Sequence, residues 1–252
     1  VIPHFEQPEL HLGPFTVHAF GALVATAVLV GARIVERRAA AAGLPARDVR
    51  RFLEWTLIGG FAGAHLVDRL VYFPGETMRD PLSLFRFWES LSSFGGFLGG
   101  TVGALLFLRR HVPAGSRWPF VDSFAYAFPF GWIFGRTGCF VAFDHPGRPT
   151  SFFLGQQYRD GVVRHNLGLE EALYTVLIAA LFFVLGRRPR YAGFFLGVFM
   201  VLYAPFRFAA DFLRIVDVRY GGLTPGQWGC IALALGGAAI LIVRRGAPAT
   251  AA

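Results

Sequence analysis

Two arginines stand where an arginine is costly. Arg136 sits in Gly135-Arg136-Thr137-Gly138-Cys139-Phe140, at the end of an apolar stretch, and Arg207 sits in a second stretch after Tyr203 and Pro205. An ionisable side chain at membrane depth marks a functional site by default. The glycines flanking Arg136 let backbone approach closely and free N–H groups to meet an anion. Arg136 therefore reads either as an anion ligand or as a snorkelling arginine that ends a helix. Tyr203, Arg207 and Asp211 are spaced i, i+4, i+8 and fall on roughly one helical face. Pro205 is expected to interrupt the helical bonding just before Arg207. The alternative to a functional cluster is an Arg207–Asp211 pair that satisfies itself at the membrane edge.

Other residues carry weaker signals. Asp144-His145-Pro146-Gly147-Arg148 is a tight polar turn: either an ordinary loop, or a carboxylate and imidazole able to accept a proton. Gly95-Gly96, continued by Gly99, Gly100 and Gly103, reads as helix packing or as room for a ligand. Arg164-His165-Asn166 precedes Glu170-Glu171, and the helix dipole alone explains glutamates at a helix start. His18 is expected inside the first span, and His4, His11 and His111 in loops or near the terminus. Cys139 and Cys230 form neither a disulfide framework nor a metal set.

These residues need elements to position them, and composition says which. Of 252 residues, 54% are hydrophobic and only 16% charged, with 28 Phe and 31 Gly, and the mean hydropathy is +0.50. Soluble domains carry about 25% charged residues. The chain lacks the polar surface to cover a globule, which excludes a soluble enzyme and a disordered tail. Stretches free of Asp, Glu and Arg run over 10–32, 90–108 and 220–243. Shorter ones cover 55–67, 123–135, 172–186 and 191–206. Each extends to bilayer length past a charged end. The expected fold is an all-α polytopic membrane protein of seven transmembrane helices, its first helix retained rather than cleaved as a signal.

All 24 basic residues are arginine, and the net charge is +8. Seven helices divide them into fourteen on the side of Arg33–Arg51, Arg109–Arg117, Arg187–Arg190 and Arg244–Arg245, and ten on the other. The positive-inside rule makes the first side cytoplasmic, with the N-terminus outside and the C-terminus inside. Twelve of the 16 acidic residues then fall outside. Residues 74–89 read as an amphipathic interfacial arm. Residues 140–168 read as a periplasmic head whose middle, 151–163, forms short strands. The whole, 1–252, reads as one integral membrane domain.

The ordered motifs resemble the prolipoprotein diacylglyceryl transferase family from about Phe15 to Gln227. The resemblance rests on Gly135-Arg136-Thr137-Gly138-Cys139-Phe140 followed by Asp144 and Gly147, on Arg79-Asp80-Pro81-Leu82 with Phe85-Arg86-Phe87-Trp88, and on Gly95-Gly96. Arg164-His165, Glu171-Ala172-Leu173, Tyr203 with Arg207, and Leu223-Thr224-Pro225-Gly226-Gln227 follow in order. It departs from the family pattern at Phe94 in place of a histidine, Cys139 in place of an asparagine, Asp144 in place of a glutamate and Phe20 in place of a tyrosine.

The resemblance implies a bacterial inner-membrane enzyme whose partners are phosphatidylglycerol, membrane lipid and a prolipoprotein lipobox peptide, with no cofactor and no metal. Arg136 and Arg207 would hold the lipid phosphate, helped by Tyr203, by Arg164 and Arg214, and by Gly95, Gly96, Gly138 and Gly147. A thiol is mostly protonated at neutral pH, and Phe94 has no proton to accept or give, so His145 or Asp144 takes the role of base. Two competing readings remain. A catalytically inactive paralogue would bind anionic phospholipid or lipoprotein without transfer. A small transporter would need a polar path through several helices, and the cytoplasmic halves are apolar. No motif for reading nucleic acid appears.

Overall fold

The computed structural model of the chain describes residues 1–13, 15–86, 91–215, 219–247 and 249–250. It is a mostly helical, polytopic membrane protein. Among the described residues, seven helices have eighteen residues or more: α1 (Ala19–Ala41), α2 (Ala46–Val67), α4 (Ser93–His111), α5 (Arg117–Ala142), α6 (Leu167–Leu185), α7 (Phe194–Asp211) and α8 (Pro225–Arg244). Four of them, α1, α6, α7 and α8, are both long and apolar enough to cross a membrane. Helix α2 falls short because Arg47, Asp48, Arg50, Arg51 and Glu54 crowd its first half, and α4 because Arg109 and Arg110 occupy its last turn.

The contacts gather into two compact units, Gly43–Phe120 and Val1–Ala42 with Val121–Ala252. In the first, α2 and α4 pack backbone to backbone. A Cβ added at Gly63 would lie 2.5 Å from the Gly95 carbonyl oxygen, and one at Gly99 would lie 2.8 Å from Gly63 Cα. Only glycine lets two membrane helices approach so closely. At one end Phe52, Phe107 and Phe120 close the core, with ring centroids 5.8–6.4 Å apart. Beyond α2 the chain winds into a π turn (Asp68–Tyr72), a short α3 (Pro74–Arg79) and a 3-10 turn (Pro81–Phe85). This segment overlaps residues 74–89, expected as an interfacial arm. It exposes Leu70, Tyr72, Met78, Leu82 and Phe85; its last residues, Phe87, Trp88 and Glu89, lie outside the described residues.

The second unit begins differently from expectation. The first uncharged stretch is not helical from Leu10. Strands β1 (Glu9–Leu12) and β2 (Phe15–His18) form an antiparallel hairpin, and α1 starts only at Ala19. Gly13, at φ 59°, occupies the left-handed region that the turn requires. His18 is therefore not intramembrane within a span: it precedes α1 and pairs with Glu9 at 3.0 Å. His11 belongs to β1 and meets the Thr16 hydroxyl at 3.0 Å, and His111 ends α4.

Residues 140–168, expected as a head, carry one small sheet. Helix α5 continues to Ala142, and the strands are β3 (Pro146–Pro149), β4 (Gln156–Gln157) and β5 (Val163–Asn166), in the antiparallel order β3-β5-β4. Most of 151–163 is thus turn rather than strand. Asn166 fastens the sheet to the helices. Its side chain caps α6 by accepting from Leu169 N at 3.1 Å and donates to the Phe140 carbonyl at 3.2 Å. A last pair of strands, β6 (Arg190–Tyr191) and β7 (Ala249–Thr250), makes a third small sheet, so the expected all-α class gains short β pieces outside the helices. Deeper in the unit, Ala125, Ile178, Phe182 and Phe195 form the core. Gly237 packs on the Gly197 carbonyl and on Met200, bringing α8 against α7.

Candidate active site

Arg136 is not at the end of its helix. Six more residues of α5 follow it, to Ala142. Its side chain is buried, 7% exposed, so the snorkelling alternative does not describe it. Nη2 donates to Oε2 of Glu171 on α6. The other oxygen of Glu171 accepts from Trp132 Nε1 at 3.0 Å and from the Tyr203 hydroxyl of α7. The guanidinium also lies over the Trp132 ring, 5.2 Å from its centroid. Three helices thus meet at one carboxylate.

This arrangement obeys a simple rule: a buried charge must be paired and its remaining lone pairs satisfied. Glu171 meets it with three donors. Arg136 does not quite. Nη1 reaches the soft acceptor Cys139 Sγ at 3.4 Å, and Nε, also buried, has no hydrogen-bond partner among the described residues. In the sequence Glu171 stands out only within the motif Glu171-Ala172-Leu173, with no role given to it in the site. The dipole argument accounts for Glu170, which pairs with His165 Nδ1 at 2.6 Å. It fails for Glu171, which points about 100° further round the helix, into the cluster. The available signal was Arg136 itself, because an arginine at that depth requires a counter-charge.

Arg207 forms a second centre. Helix α7 runs through Pro205 without ending, and Arg207 Nη1 donates to Asp211 Oδ1 at 2.7 Å. Arg214 Nη1 approaches the same oxygen at 3.6 Å. Asp211 is buried, and its Oδ2 accepts from the Thr224 hydroxyl. Thr224 also caps α8: its hydroxyl accepts from Gln227 N, and the Gln227 side chain accepts from Thr224 N, both at 3.0 Å. Such reciprocal caps fix a helix start. The self-satisfied alternative thus describes part of this centre. The two centres are nevertheless linked electrostatically, because Glu171 and Tyr203 both feel the charges of Arg136 and Arg207.

The polar turn comes back onto the first centre. Phe143, at φ 57°, is the one non-glycine residue in the left-handed region among the described residues. It reverses the chain after α5, so that Asp144 and His145 return to Cys139. Asp144 Oδ1 and His145 Nδ1 are hydrogen-bonded, and donor atoms of Cys139, Asp144 and His145 lie within 4.8 Å of one another. Cys139 therefore lies between Arg136 and the Asp144 carboxylate, with the imidazole close by. Nearby, burial pushes the Tyr158 phenol up to about 12, and the Asp144 carboxylate adds to the shift against Arg164. Tyr158 stays protonated.

A model described as prolipoprotein diacylglyceryl transferase matches residues 8–243. A phosphatidylglycerol–prolipoprotein diacylglyceryl transferase of Cupriavidus metallidurans is 33% identical over 272 residues, covering 100% of this chain and 98% of the relative. A protein of that name from Cupriavidus pinatubonensis is 33% identical over 95% of this chain and 91% of its own length. One from Tolumonas auensis is 28% identical over 93% of each. The chain belongs to the prolipoprotein diacylglyceryl transferase family.

Within this transferase family member, the remaining candidate residues divide by surroundings. Gly147 lies under the head, where an added Cβ would come 2.8 Å from His165 Cβ, and it bridges to Arg214. Gly138 faces the Phe20 ring of α1, 3.0 Å from an added Cβ. Gly95 abuts the backbone of α2, whereas an added Cβ at Gly96 would find ordinary contacts at 3.7 Å or more. Packing thus accounts for Gly95. Arg164 is held by both oxygens of Asp160, at 2.7 Å each, in the turn between β4 and β5, apart from the Arg136 cluster. Two departures from the family pattern, Cys139 and Asp144, are spatial neighbours. Phe94, at the start of α4, is 66% exposed.

Proposed function

We propose that this chain transfers the diacylglyceryl group of phosphatidylglycerol to the lipobox cysteine thiol of a prolipoprotein. The thiol sulfur attacks the glycerol carbon that carries the phosphate. A C–S bond forms, the C–O bond to phosphate breaks, and glycerol phosphate leaves with the electron pair. The enzyme sits in the inner membrane as one integral domain of seven spans, N-terminus outside and C-terminus cytoplasmic, following the arginine bias. The site opens toward the periplasm, beside the head of 140–168.

The observation that carries this reading is the buried guanidinium of Arg136, pinned by Glu171 yet with Nε–H unsatisfied. Buried donors without acceptors are rare in folded proteins, and a phosphate oxygen is the acceptor this one lacks. Arg136 and Arg207 hold the phosphate and offset the charge that develops as glycerol phosphate departs. Tyr203 and Trp132 keep Glu171 aimed at Arg136. Arg214 and Arg164 attract the anionic headgroup. His145, oriented by Asp144, takes the proton of the attacking thiol.

The test is purified protein in phosphatidylglycerol vesicles with a synthetic lipobox peptide, read by the mass gain of the peptide and by glycerol phosphate release. Loss of one such donor costs about 10²–10³-fold in rate, so R136A is expected to fall by at least that. R136A transferring at the parent rate would overturn the assignment. Undiminished turnover in H145A would remove His145 from the mechanism.

A further inference from the structure

Cys139, Asp144 and His145 are assembled by a chain reversal that brings a thiol, a carboxylate and an imidazole together. Their donor atoms lie within 4.8 Å of one another, about 1 Å wider than the ~3.5 Å between ligands of a tetrahedral zinc ion, a gap that side-chain rotation of Asp144 and His145 closes. The donor set is one sulfur, one nitrogen and one oxygen, which suits a borderline-soft ion such as Zn²⁺ and not Mg²⁺ or Ca²⁺.

Charge favours the same conclusion. A thiolate and a carboxylate together neutralise a divalent cation. Cys139 lies in the last turn of α5, where the helix dipole is negative and attracts cations. The nearest fixed positive charge, Arg136, is paired with Glu171 and gives one N–H to the Cys139 sulfur at 3.4 Å, a contact the ion would replace. Cys139 is buried, while Asp144 is exposed and His145 half-buried.

We infer that Cys139, Asp144 and His145 form a site for a divalent transition-metal ion of the zinc class. In the metal-free protein the Asp144–His145 hydrogen bond holds two of the donors in place. The incoming ion takes the place of the proton shared there and of the thiol proton. Binding therefore releases protons, as ligation by thiolate and imidazole does generally. This inference goes beyond the transfer reaction; His145 cannot hold the ion and take the thiol proton at once, so the metal-bound form is inactive in transfer.

The test uses the full chain in detergent micelles, with Cys230 replaced (C230S) so that one thiol remains. Co²⁺ is the probe. The parent is expected to show a thiolate-to-cobalt charge-transfer band that Zn²⁺ abolishes by competition. C139S, a change of one atom that preserves the fold, is expected to lose the band. H145A and D144N are expected to keep it with affinity lowered by at least about tenfold. Zn²⁺ is also expected to protect Cys139 from alkylation. A parent with no such band, or a band that survives in C139S, overturns the site. Because the readout needs neither lipid nor peptide, its failure leaves the transfer assignment intact, and a failed transfer assay leaves this one intact.

Discussion

Helices α2 and α4 meet by giving up side chains, whereas α5, α6 and α7 meet by burying charge. The first interface needs no partner groups: Gly59, Gly63, Gly95 and Gly99 bring backbones into contact, and dispersion forces do the rest. The second needs every donor and acceptor placed, around Glu171, Arg136, Tyr203 and Trp132. Apolar residues of similar volume would hold helices together as well or better. Retaining an ion pair there is a poor way to build stability and a good way to hold a guanidinium ready for an anion.

That contrast can be broken. E171A leaves the buried guanidinium uncompensated and is expected to destabilise the protein by about 3–5 kcal/mol, with transfer lost, checked by thermal unfolding in detergent and by the peptide assay. Replacing both partners (R136M with E171L) is expected to restore most of that stability and none of the transfer. Recovery of transfer would mean that the charge pair only supports the fold. G63L forces a side chain into the Gly95 backbone and is expected to cost about 1–3 kcal/mol, whereas G75A, where an added Cβ meets nothing within 4 Å, costs nothing measurable. T224A removes a cap and is expected to cost about 1 kcal/mol, with T224S restoring it. R164A, whose partner Asp160 is at the surface, is expected to alter transfer less than R207A. The reverse order would shift the phosphate site toward the head.

Much of the fold could be read from the chain because apolar runs report directly on helices. Six of the seven expected stretches fall on long helices near their expected bounds. The start of the seventh did not, because lack of charge is all that the criterion sees. Leu10–His18 is as uncharged as a span, yet the turn at Gly13 makes it a hairpin. The site was legible where one residue type is costly in one place, as with Arg136 and Arg207. It was illegible where two neighbours of the same type do different work. Glu170 and Glu171 cannot be told apart without knowing which helical face meets α5. The closeness of Cys139 to His145 was equally hidden, since it depends on a left-handed residue at Phe143 that an ordinary Phe does not advertise.

The Thr224 hydroxyl gives its proton to Asp211 while its lone pair receives the Gln227 amide. One oxygen thereby couples the first turn of α8 to the carboxylate that Arg207 leans on. An anion drawing Arg207 aside would leave Asp211 to Thr224 and Arg214, tightening or twisting the entry of that helix. Occupancy at the arginine would then be registered a helix away.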